Sequence, residues 1–212
     1  MQMAGASRDG QSGTQAAIDS LHLKIKSCKL CRLCKTRTNA VPGFGKIVGT
    51  EIIIVGEGPG RNEDLEGKPF VGAGGKLLDE LLSSTGLKRE EIFVTNIVKC
   101  RPPNNRKPEA DEIEVCTSNY LERQIELLKP KLICTLGATA LEYFTGETRM
   151  GEWHGRLTKT KRGVALLPTY HPASIFRKPE YKQLLQRDLA MIPKIIAKLA
   201  STPSQSKLTS YV

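Results

Sequence analysis

The sequence predicts one α/β domain, a three-layer sandwich in which helices flank a central, mainly parallel four-stranded sheet. The chain has 212 residues, 39% of them hydrophobic, which suits one core better than two. Short apolar runs alternate with stretches of helical periodicity, as in parallel sheets covered on both faces. We expect a flexible lead over residues 1–18, the domain over 19–200 and a flexible tail over 201–212.

Each predicted strand is a nearly continuous apolar run, as expected of a strand buried on both faces. The runs are EIIIVG (51–56), IFVTNIV (92–98), KLICTLG (131–137) and GVALLPTYH (163–171). Apolar residues at helical spacing predict three helices, around 77–82, 113–125 and 185–199. Ligands bind at the carboxyl ends of parallel strands, so we expect the site in the loops that follow these four strands.

The charge balance favours a polyanionic partner. Lys and Arg total 32 against 22 Asp and Glu, a formal net charge of +10, and the pI is about 9.4. No apolar run approaches the roughly 20 residues that span a bilayer. The polar first residues lack the hydrophobic stretch of a signal peptide. We therefore expect a monomeric, intracellular protein of the cytoplasm, associated with the nucleoid, and no membrane partner.

Six cysteines predict a metal site rather than disulfides, because the sequence shows no secretory signal. They stand at positions 28, 31, 34, 100, 116 and 134. Two thiolates three residues apart in CKLCRLC can bind one metal, and Cys100 and Cys116 are available to complete a set of four. Four thiolates suit zinc or an iron–sulfur cluster, and the spacing leaves both open. We expect Cys34 to be spare and Cys134, in the middle of a predicted strand, to be a core residue.

Two loops at the predicted edge of the sheet carry unusual residues. VGEGPGRNEDLEGKPFVGAGGKLL follows the first strand, but its glycines match neither the dinucleotide fingerprint nor the P-loop. Its tight turns can bring backbone amides near a flat ligand. Phe70 would either stack on that ligand or pack as an ordinary core residue. TYHPASIFRKP ends the fourth strand and places His171 at the edge, where a histidine is as readily functional as structural.

Five features in a fixed order are distinctive: CKLCRLCKTRTNAVPGFG, GEGPGRNEDLEGKPFVG, TNIVKCRPPNNRKP, the interval from Cys100 to Cys116, and HPAS. Together they resemble the iron–sulfur-containing family 4 of the uracil-DNA glycosylase superfamily, over residues 28–198. The resemblance implies a structural [4Fe-4S] cluster, no metal at the reaction centre, and excision of uracil from single- or double-stranded DNA. The implied cluster ligands are Cys28, Cys31, Cys100 and Cys116.

The resemblance also implies roles for residues at the edge of the sheet. Asn96 would pair with O4 and N3–H of uracil, groups that cytosine presents with the opposite pattern. Phe70 would stack on the base, Gly58 would offer its backbone, and His171 would donate a hydrogen bond to O2 as negative charge develops there. These assignments describe a site that reads the base and stabilises its departure.

One position departs from the superfamily pattern, since the first branch carries a water-activating aspartate where this chain has Gly58. Glu57 and Glu63 are the nearest carboxylates, and either could orient water or balance the positive charge of the sugar. Glu63 could instead exclude the methyl group of thymine at the C5 edge. Both could equally be solvated loop acids.

Two segments are predicted to contact DNA. Cations of RPPNNRKP would bind phosphates with little regard to sequence, namely Arg101, Arg106 and Lys107. A second loop would enter the minor groove, comprising Pro172, Ala173, Ser174, Ile175, Phe176 and Arg177. One of its last three residues would act as the wedge that fills the vacated stack.

The tail suggests a protein partner. QSKLTSYV (205–212) places Gln205, Leu208, Tyr211 and Val212 at a spacing that resembles the peptide motif for DNA sliding clamps of the PCNA type. A frayed terminus is the plain alternative.

Two other functions also stay open at this point. One is a non-catalytic nucleic-acid-binding protein with a zinc site, and the other is the same fold acting on further deaminated bases such as hypoxanthine.

Overall fold

A six-stranded sheet organises the residues that the computed structural model describes, 8–201. Its strands are β1 (Phe44–Gly45), β2 (Ile52–Gly56), β3 (Phe93–Asn96), β4 (Leu132–Leu136), β5 (Thr158–Lys159) and β6 (Ala165–Thr169). They lie in the order β1-β3-β2-β4-β6-β5. The four central strands are parallel, and β1 and β5 pair antiparallel at the two edges.

The α/β class and the mainly parallel sheet are confirmed, but the predicted number of four strands is wrong. The four predicted strands correspond to the parallel centre, and every residue of the observed strands β2, β3, β4 and β6 is buried. Each added edge strand has only two residues, which is too short to show either alternation or an apolar run.

Helices cover both faces of the sheet. They are α1 (Arg8–Lys26), α2 (Arg61–Glu66), α3 (Ala73–Ser84), α4 (Ala110–Cys116), α5 (Glu122–Leu128), α6 (Ala138–Thr145), α7 (Met150–Trp153), α8 (Tyr181–Leu189) and α9 (Ile192–Ser201). Short 3-10 turns occupy Arg32–Lys35, Arg89–Glu91, Pro103–Asn105 and Pro172–Phe176, and a π turn, Thr117–Leu121, joins α4 to α5. Among the described residues, no helix has the length and hydropathy of a membrane span.

Two hydrophobic clusters give the fold its three layers. Successive residues of β2 divide between them, because neighbouring side chains of a strand point to opposite faces. Ile53 and Val55 belong to the cluster that contains α1, α5 and α6, which we call the α1 face. Ile52 and Ile54 belong to the cluster that contains α3, α8 and α9, which we call the α3 face.

The three helices predicted from periodicity are present, two of them in divided form. The stretch 77–82 lies inside α3, whereas 113–125 runs through α4, the π turn and α5. The stretch 185–199 covers α8 and α9, which are separate helices.

The described part of the flexible lead predicted over residues 1–18 lies in α1, which begins at Arg8. The lead is polar, but α1 carries three apolar residues at helical spacing, Ile18, Leu21 and Ile25, that are buried on the α1 face. Tertiary packing of these few residues outweighs the polar composition around them. Residues 1–7 and 202–212, which include nearly all of the predicted tail, lie outside the described residues.

The four central strands end on one edge of the sheet, where the sequence predicted the site. Their last residues are Gly56, Asn96, Leu136 and Thr169. Gly56 lies opposite Asn96 in the β2–β3 pair, and Leu136 lies opposite Thr169 in the β4–β6 pair. The loops that follow these strands are therefore neighbours.

Candidate active site and four-cysteine site

A cavity of about 400 Å³ opens at the carboxyl ends of the parallel strands. Its volume falls in the range of roughly 300–1,000 Å³ that is usual for small-molecule sites. The loops after β2, β3, β4 and β6 all contribute to its wall. The structure brings together at this wall all the residues predicted to bind the base, namely Gly58, Glu63, Phe70, Asn96 and His171.

Asn96 ends β3 and presents its side chain to the cavity. The residue is only 2% exposed, and its Oδ1 atom has no hydrogen-bond partner within residues 8–201. A Cβ atom on the opposite residue, Gly56, would lie 2.5 Å from Oδ1 of Asn96 and 2.7 Å from Cζ of Phe70. Only glycine therefore leaves room for both side chains. A buried acceptor without a partner costs about 1–3 kcal/mol, so this site is built to receive a hydrogen-bond donor.

Phe70 is held in its place by Glu63. The Oε1 atom of Glu63 accepts hydrogen bonds from the backbone N–H of Val71, at 3.0 Å, and of Gly72, at 2.9 Å. Phe70 itself has a φ of 55°, a left-handed conformation that a residue with a bulky side chain adopts only under constraint. Its ring stacks on the imidazole of His171, with ring centroids 5.8 Å apart and 29° between the planes. The two rings form one wall of the cavity.

His171 is a neutral hydrogen-bond donor. Its Nδ1 atom accepts a hydrogen bond from the backbone N–H of Ala173 at 3.1 Å, so the proton of the neutral ring lies on Nε2. Burial lowers the pKa of His171 from 6.5 to about 4, and the nearby charge of Glu63 acts in the opposite direction. Near neutral pH the cavity thus contains an uncharged imidazole with one N–H group available.

The two candidate carboxylates are engaged differently. Oε2 of Glu57 accepts a hydrogen bond from the Thr139 hydroxyl at 2.5 Å, and Glu57 lines the cavity. Thr139 is buried in the first turn of α6. Glu63 uses Oε1 to anchor the backbone beside Phe70. Neither residue is the freely solvated loop acid that the sequence allowed.

The cations predicted to contact DNA have partners within the chain. Arg106 forms a bidentate ion pair with the fully buried Glu112, at 2.8 and 2.7 Å, and this pair lowers the pKa of Glu112. Lys107 pairs with Glu142 at 2.7 Å, and Nε of Arg101 donates to Asn105 at 2.7 Å. The guanidinium of Arg106 therefore supports the fold, and its contact with DNA stays a prediction.

The second loop predicted to contact DNA forms a 3-10 turn, Pro172–Phe176. Ile175 is 8% exposed and packs in the α3-face cluster, so its burial disfavours it as the wedge, and the identity of the wedge stays a prediction. Phe176 is 61% exposed, and Arg177 is exposed next to the cavity. Removing Ile175 from the core would expose apolar surface, whereas Phe176 is already in solvent.

The four predicted ligand cysteines share one neighbourhood on the α1 face. Cys100 and Cys116 are buried in the cluster there, and Cys28 and Cys31 pack against it. Negative charge on Cys31 or Cys28 would raise the pKa of Cys100, which reflects their proximity. Cys134 is fully buried in the opposite cluster, as expected of a core residue.

Hydrogen-bond donors point at three of these sulfur atoms. Nη1 of Arg37 lies 2.8 Å from Sγ of Cys100, and the backbone N–H of Lys99 lies 3.2 Å from Sγ of Cys116. The backbone N–H of Leu30 lies 3.5 Å from Sγ of Cys28. Hydrogen bonds to sulfur are a usual means of tuning iron–sulfur ligands. Burial raises the pKa of Cys100 to about 11 and that of Cys116 to about 12, so a bound cation would be needed to keep these thiols ionised at neutral pH.

The donor set fits a group with sulfur ligands, and all six cysteines of residues 8–201 are free thiols. Within that range, no group of three or more Cys, His, Asp or Glu side chains is arranged to hold a single metal ion. Six free thiols are compatible with a cluster, and we call Cys28, Cys31, Cys100 and Cys116 the four-cysteine site.

Comparison with known proteins identifies the family. A family model described as the uracil DNA glycosylase superfamily matches residues 42–199. The chain belongs to this superfamily. It is 44% identical over 207 residues to a Type-4 uracil-DNA glycosylase of Sulfurisphaera tokodaii, covering 92% of this chain and 90% of the relative. A Type-4 uracil-DNA glycosylase of Pyrobaculum aerophilum is 46% identical over 184 residues, covering 82% and 92%.

These matches confirm the resemblance inferred from the five sequence features. A Type-4 uracil-DNA glycosylase of Thermotoga maritima is also 40% identical over 179 residues, covering 82% of this chain and 92% of the relative. Sequence reasoning nevertheless missed three residues that hydrogen-bond to the predicted site residues, namely Arg37, Lys99 and Thr139. Only Lys99 carried a signal, because it is a charged residue directly after the apolar pair Ile97 and Val98.

We predict that His171 remains neutral from about pH 5 to about pH 8, because burial lowers its pKa to about 4. Its ring-proton chemical shifts, assigned with a His171→Asn variant, should stay constant over that window and change only as the pH falls towards 4. The rate of the reaction at this site should show no inflection from His171 near pH 6.5. A ring that titrates near 6.5 would contradict this account of the site.

Proposed function

We propose that this protein removes uracil from DNA by hydrolysing the N-glycosidic bond, which leaves an abasic site. The observation that carries this proposal is the buried, unpartnered Oδ1 of Asn96, which faces a cavity walled by Phe70 and a neutral His171. Membership of the superfamily and the names of the relatives support the same activity. We expect no metal at the reaction centre.

Recognition would depend on the Asn96 amide. A base must leave the duplex to enter a cavity of this kind. Oδ1 of Asn96 would then accept from N3–H of uracil while its amide NH₂ donates to O4. Cytosine has an acceptor at N3 and an amino group at C4, so it would leave both groups of Asn96 opposed to like groups. Phe70 would stack on the flat face of the base.

His171 would promote departure of the base. Cleavage of the glycosidic bond leaves negative charge on uracil, shared with O2, and positive charge on the sugar. The Nε2–H group of His171 would donate a hydrogen bond to O2 as this charge develops. The donor is fixed in advance by the hydrogen bond from Ala173 to Nδ1, so little rearrangement is needed during the reaction. A neutral imidazole suffices, and no proton has to leave it.

We assign orientation of the water to Glu57. One of its carboxylate oxygens is held by Thr139, which leaves the other to accept a hydrogen bond from water or to face the sugar cation. Glu63 has a supporting role instead, because it fixes the backbone that carries Phe70. Exclusion of thymine by Glu63 remains a prediction.

DNA would be held by the net positive charge of the chain and by the loop after β6. Arg101, Lys107 and Arg177 are the cations we expect at phosphates. The exposed Phe176 is the wedge that the burial pattern favours, since Ile175 is in the core. Base release can be measured on matched oligonucleotides, single- or double-stranded, that carry uracil, hypoxanthine, thymine or cytosine. The measured rates would show which strands and which deaminated bases the protein accepts.

We further propose that the four-cysteine site holds a [4Fe-4S] cluster, with zinc as the alternative for the same ligands. When bound, the group would supply a cross-link between the segment after α1, the loop after β3 and the end of α4. The hydrogen bonds to Cys28, Cys100 and Cys116 favour thiolate ligands. This is a structural role, and no step of base release depends on it.

The remaining proposal concerns the tail, whose residues 205–212 lie outside the described residues. We propose that Gln205, Leu208, Tyr211 and Val212 bind a sliding clamp of the PCNA type. A helical turn over the last residues would place the apolar side chains on one side for a hydrophobic pocket. Tethering to a clamp would raise the effective concentration of the enzyme at newly copied DNA.

Replacing Asn96 by Ala tests recognition. We expect the single-turnover rate of uracil release to fall by about 10²- to 10³-fold, the usual effect of removing one preorganised hydrogen-bonding group. Binding to uracil-containing DNA should change little, because phosphate contacts dominate affinity. The exposed Asn119 of the π turn provides a control, and Asn119→Ala should retain full activity. Near-normal release by Asn96→Ala would remove the proposed role.

Cysteine variants test the four-cysteine site. Cys100→Ala and Cys116→Ala should lose bound metal and soluble yield, because each lacks a ligand. Cys34→Ala and Cys134→Ala should keep both. Metal analysis and visible absorbance of the purified chain distinguish the two candidates, since an iron–sulfur protein is brown and a zinc protein is colourless. Loss of metal from Cys34→Ala would overturn the ligand assignment.

Truncation after Ser204 tests the tail. Excision of uracil from short oligonucleotides should remain unchanged, because the cavity lies within residues 57–177. Binding to the sliding clamp of the same organism, measured by calorimetry, should disappear. Equal clamp binding by the truncated and full-length chains, or no binding by either, would refute the proposal.

A further inference from the structure

Lys99 lies between the candidate active site and the four-cysteine site. It follows β3 by three residues and is only 1% exposed. Its side chain turns back onto the end of the strand, where Nζ donates to the Thr95 hydroxyl at 2.6 Å and to the backbone carbonyl of Asn96 at 2.7 Å. A buried ammonium group thus holds the main chain of the residue assigned to base recognition.

A buried amine in this position is costly and requires explanation. An ammonium group removed from water is destabilising by several kcal/mol unless partners compensate for it. Within residues 8–201, no carboxylate forms a salt bridge with Lys99. A methionine would fill the same space without this cost.

The first partner of Lys99 belongs to a buried polar network. Thr95 donates its hydroxyl proton towards the Pro42 carbonyl, at 2.9 Å, and Nε2 of Gln124 donates to the same carbonyl at 2.7 Å. Thr95 and Gln124 are both fully buried. A connected network of this kind restricts the positions that its members can take. The amine is therefore fixed in place.

The main chain of Lys99 is anchored as well. Its backbone N–H donates to Sγ of Cys116 at 3.2 Å, and its carbonyl accepts from the N–H of Val41 at 2.7 Å. The residue is thus held by its amide, its carbonyl and its amine. It joins the end of α4 to the end of β3.

We propose that Lys99 is a positioning residue for base recognition, which holds the Asn96 carbonyl so that the Asn96 side chain stays aimed into the cavity. Oδ1 of Asn96 has no partner of its own within the described residues, so its orientation depends on the backbone that carries it. Lys99 lines no part of the cavity and touches no reacting atom. This inference rests on the proposed role of Asn96.

The test replaces Lys99 by Met, which keeps the length of the side chain and removes both hydrogen bonds. We expect the single-turnover rate of uracil release to fall by about 10- to 100-fold, as for other losses of a group that supports a site residue. Inhibition by free uracil should weaken by a similar factor, whereas the Kd for abasic DNA should not change. Lys131→Met removes a lysine paired with Glu51 away from the cavity, and this control should behave as the unaltered chain.

A double-mutant cycle separates positioning from general loss of structure. If Lys99 acts through Asn96, then Asn96→Ala and the double variant Asn96→Ala/Lys99→Met should release uracil at the same rate. Fully additive effects, or a normal rate for Lys99→Met per folded molecule, would overturn the proposal. An active Asn96→Ala variant would instead remove the proposed function of Asn96, so the two failures are distinguishable.

A second pair of variants covers the case in which Lys99→Met does not fold. Thr95→Val removes one of the two acceptors of the amine, and Thr95→Ser retains the hydroxyl. We expect Thr95→Val to show the same combination of slower release and weaker inhibition by uracil, and Thr95→Ser to be close to the unaltered chain. Equal uracil release by both variants would overturn the proposal.

Discussion

The parallel pairing of β2 with β3 places Gly56 opposite Asn96, and the missing Cβ of Gly56 is what admits the Asn96 amide and the Phe70 ring to the same space. A shift of this register by one residue would turn Asn96 away from the cavity, because side chains alternate along a strand. The positions of Glu63 and His171 follow from the same constraint. Both residues contact or support the ring of Phe70, which has room only beside a glycine.

Polar groups inside this protein divide into those that are satisfied and those that are kept available. Glu112 receives a bidentate arginine, and Gln124 and Lys99 join a closed network, so these groups stabilise one arrangement of the backbone. Oδ1 of Asn96 is left without a partner within the described residues. Four other buried side-chain atoms of residues 8–201 also lack a partner, but Asn96 is the one of these five residues that lines the cavity, so its position there is what marks it as part of the site.

Local pattern was sufficient for the parallel strands and for the residues at their carboxyl ends, because continuous apolar runs and strand termini are visible in the sequence. It was insufficient wherever a long-range partner decides the role of a residue. Arg106 has the same sequence signature whether it pairs with Glu112 or with a phosphate. The difference between Ile175 and Phe176 depends on the direction of one 3-10 turn, and the helix of residues 8–18 depends on contacts that polar composition conceals.

The 3-10 turn after β6, which we propose inserts into DNA, would then affect how such an enzyme searches for its substrate. Ile175 is buried in the core while its neighbour Phe176 already projects into solvent, so the turn is ordered before any duplex is met. The conformational entropy of that segment is lost once, on folding, and not again at each encounter. Brief encounters with many intact base pairs then cost little additional conformational entropy. A preordered turn therefore suits a protein that tests far more sites than it repairs.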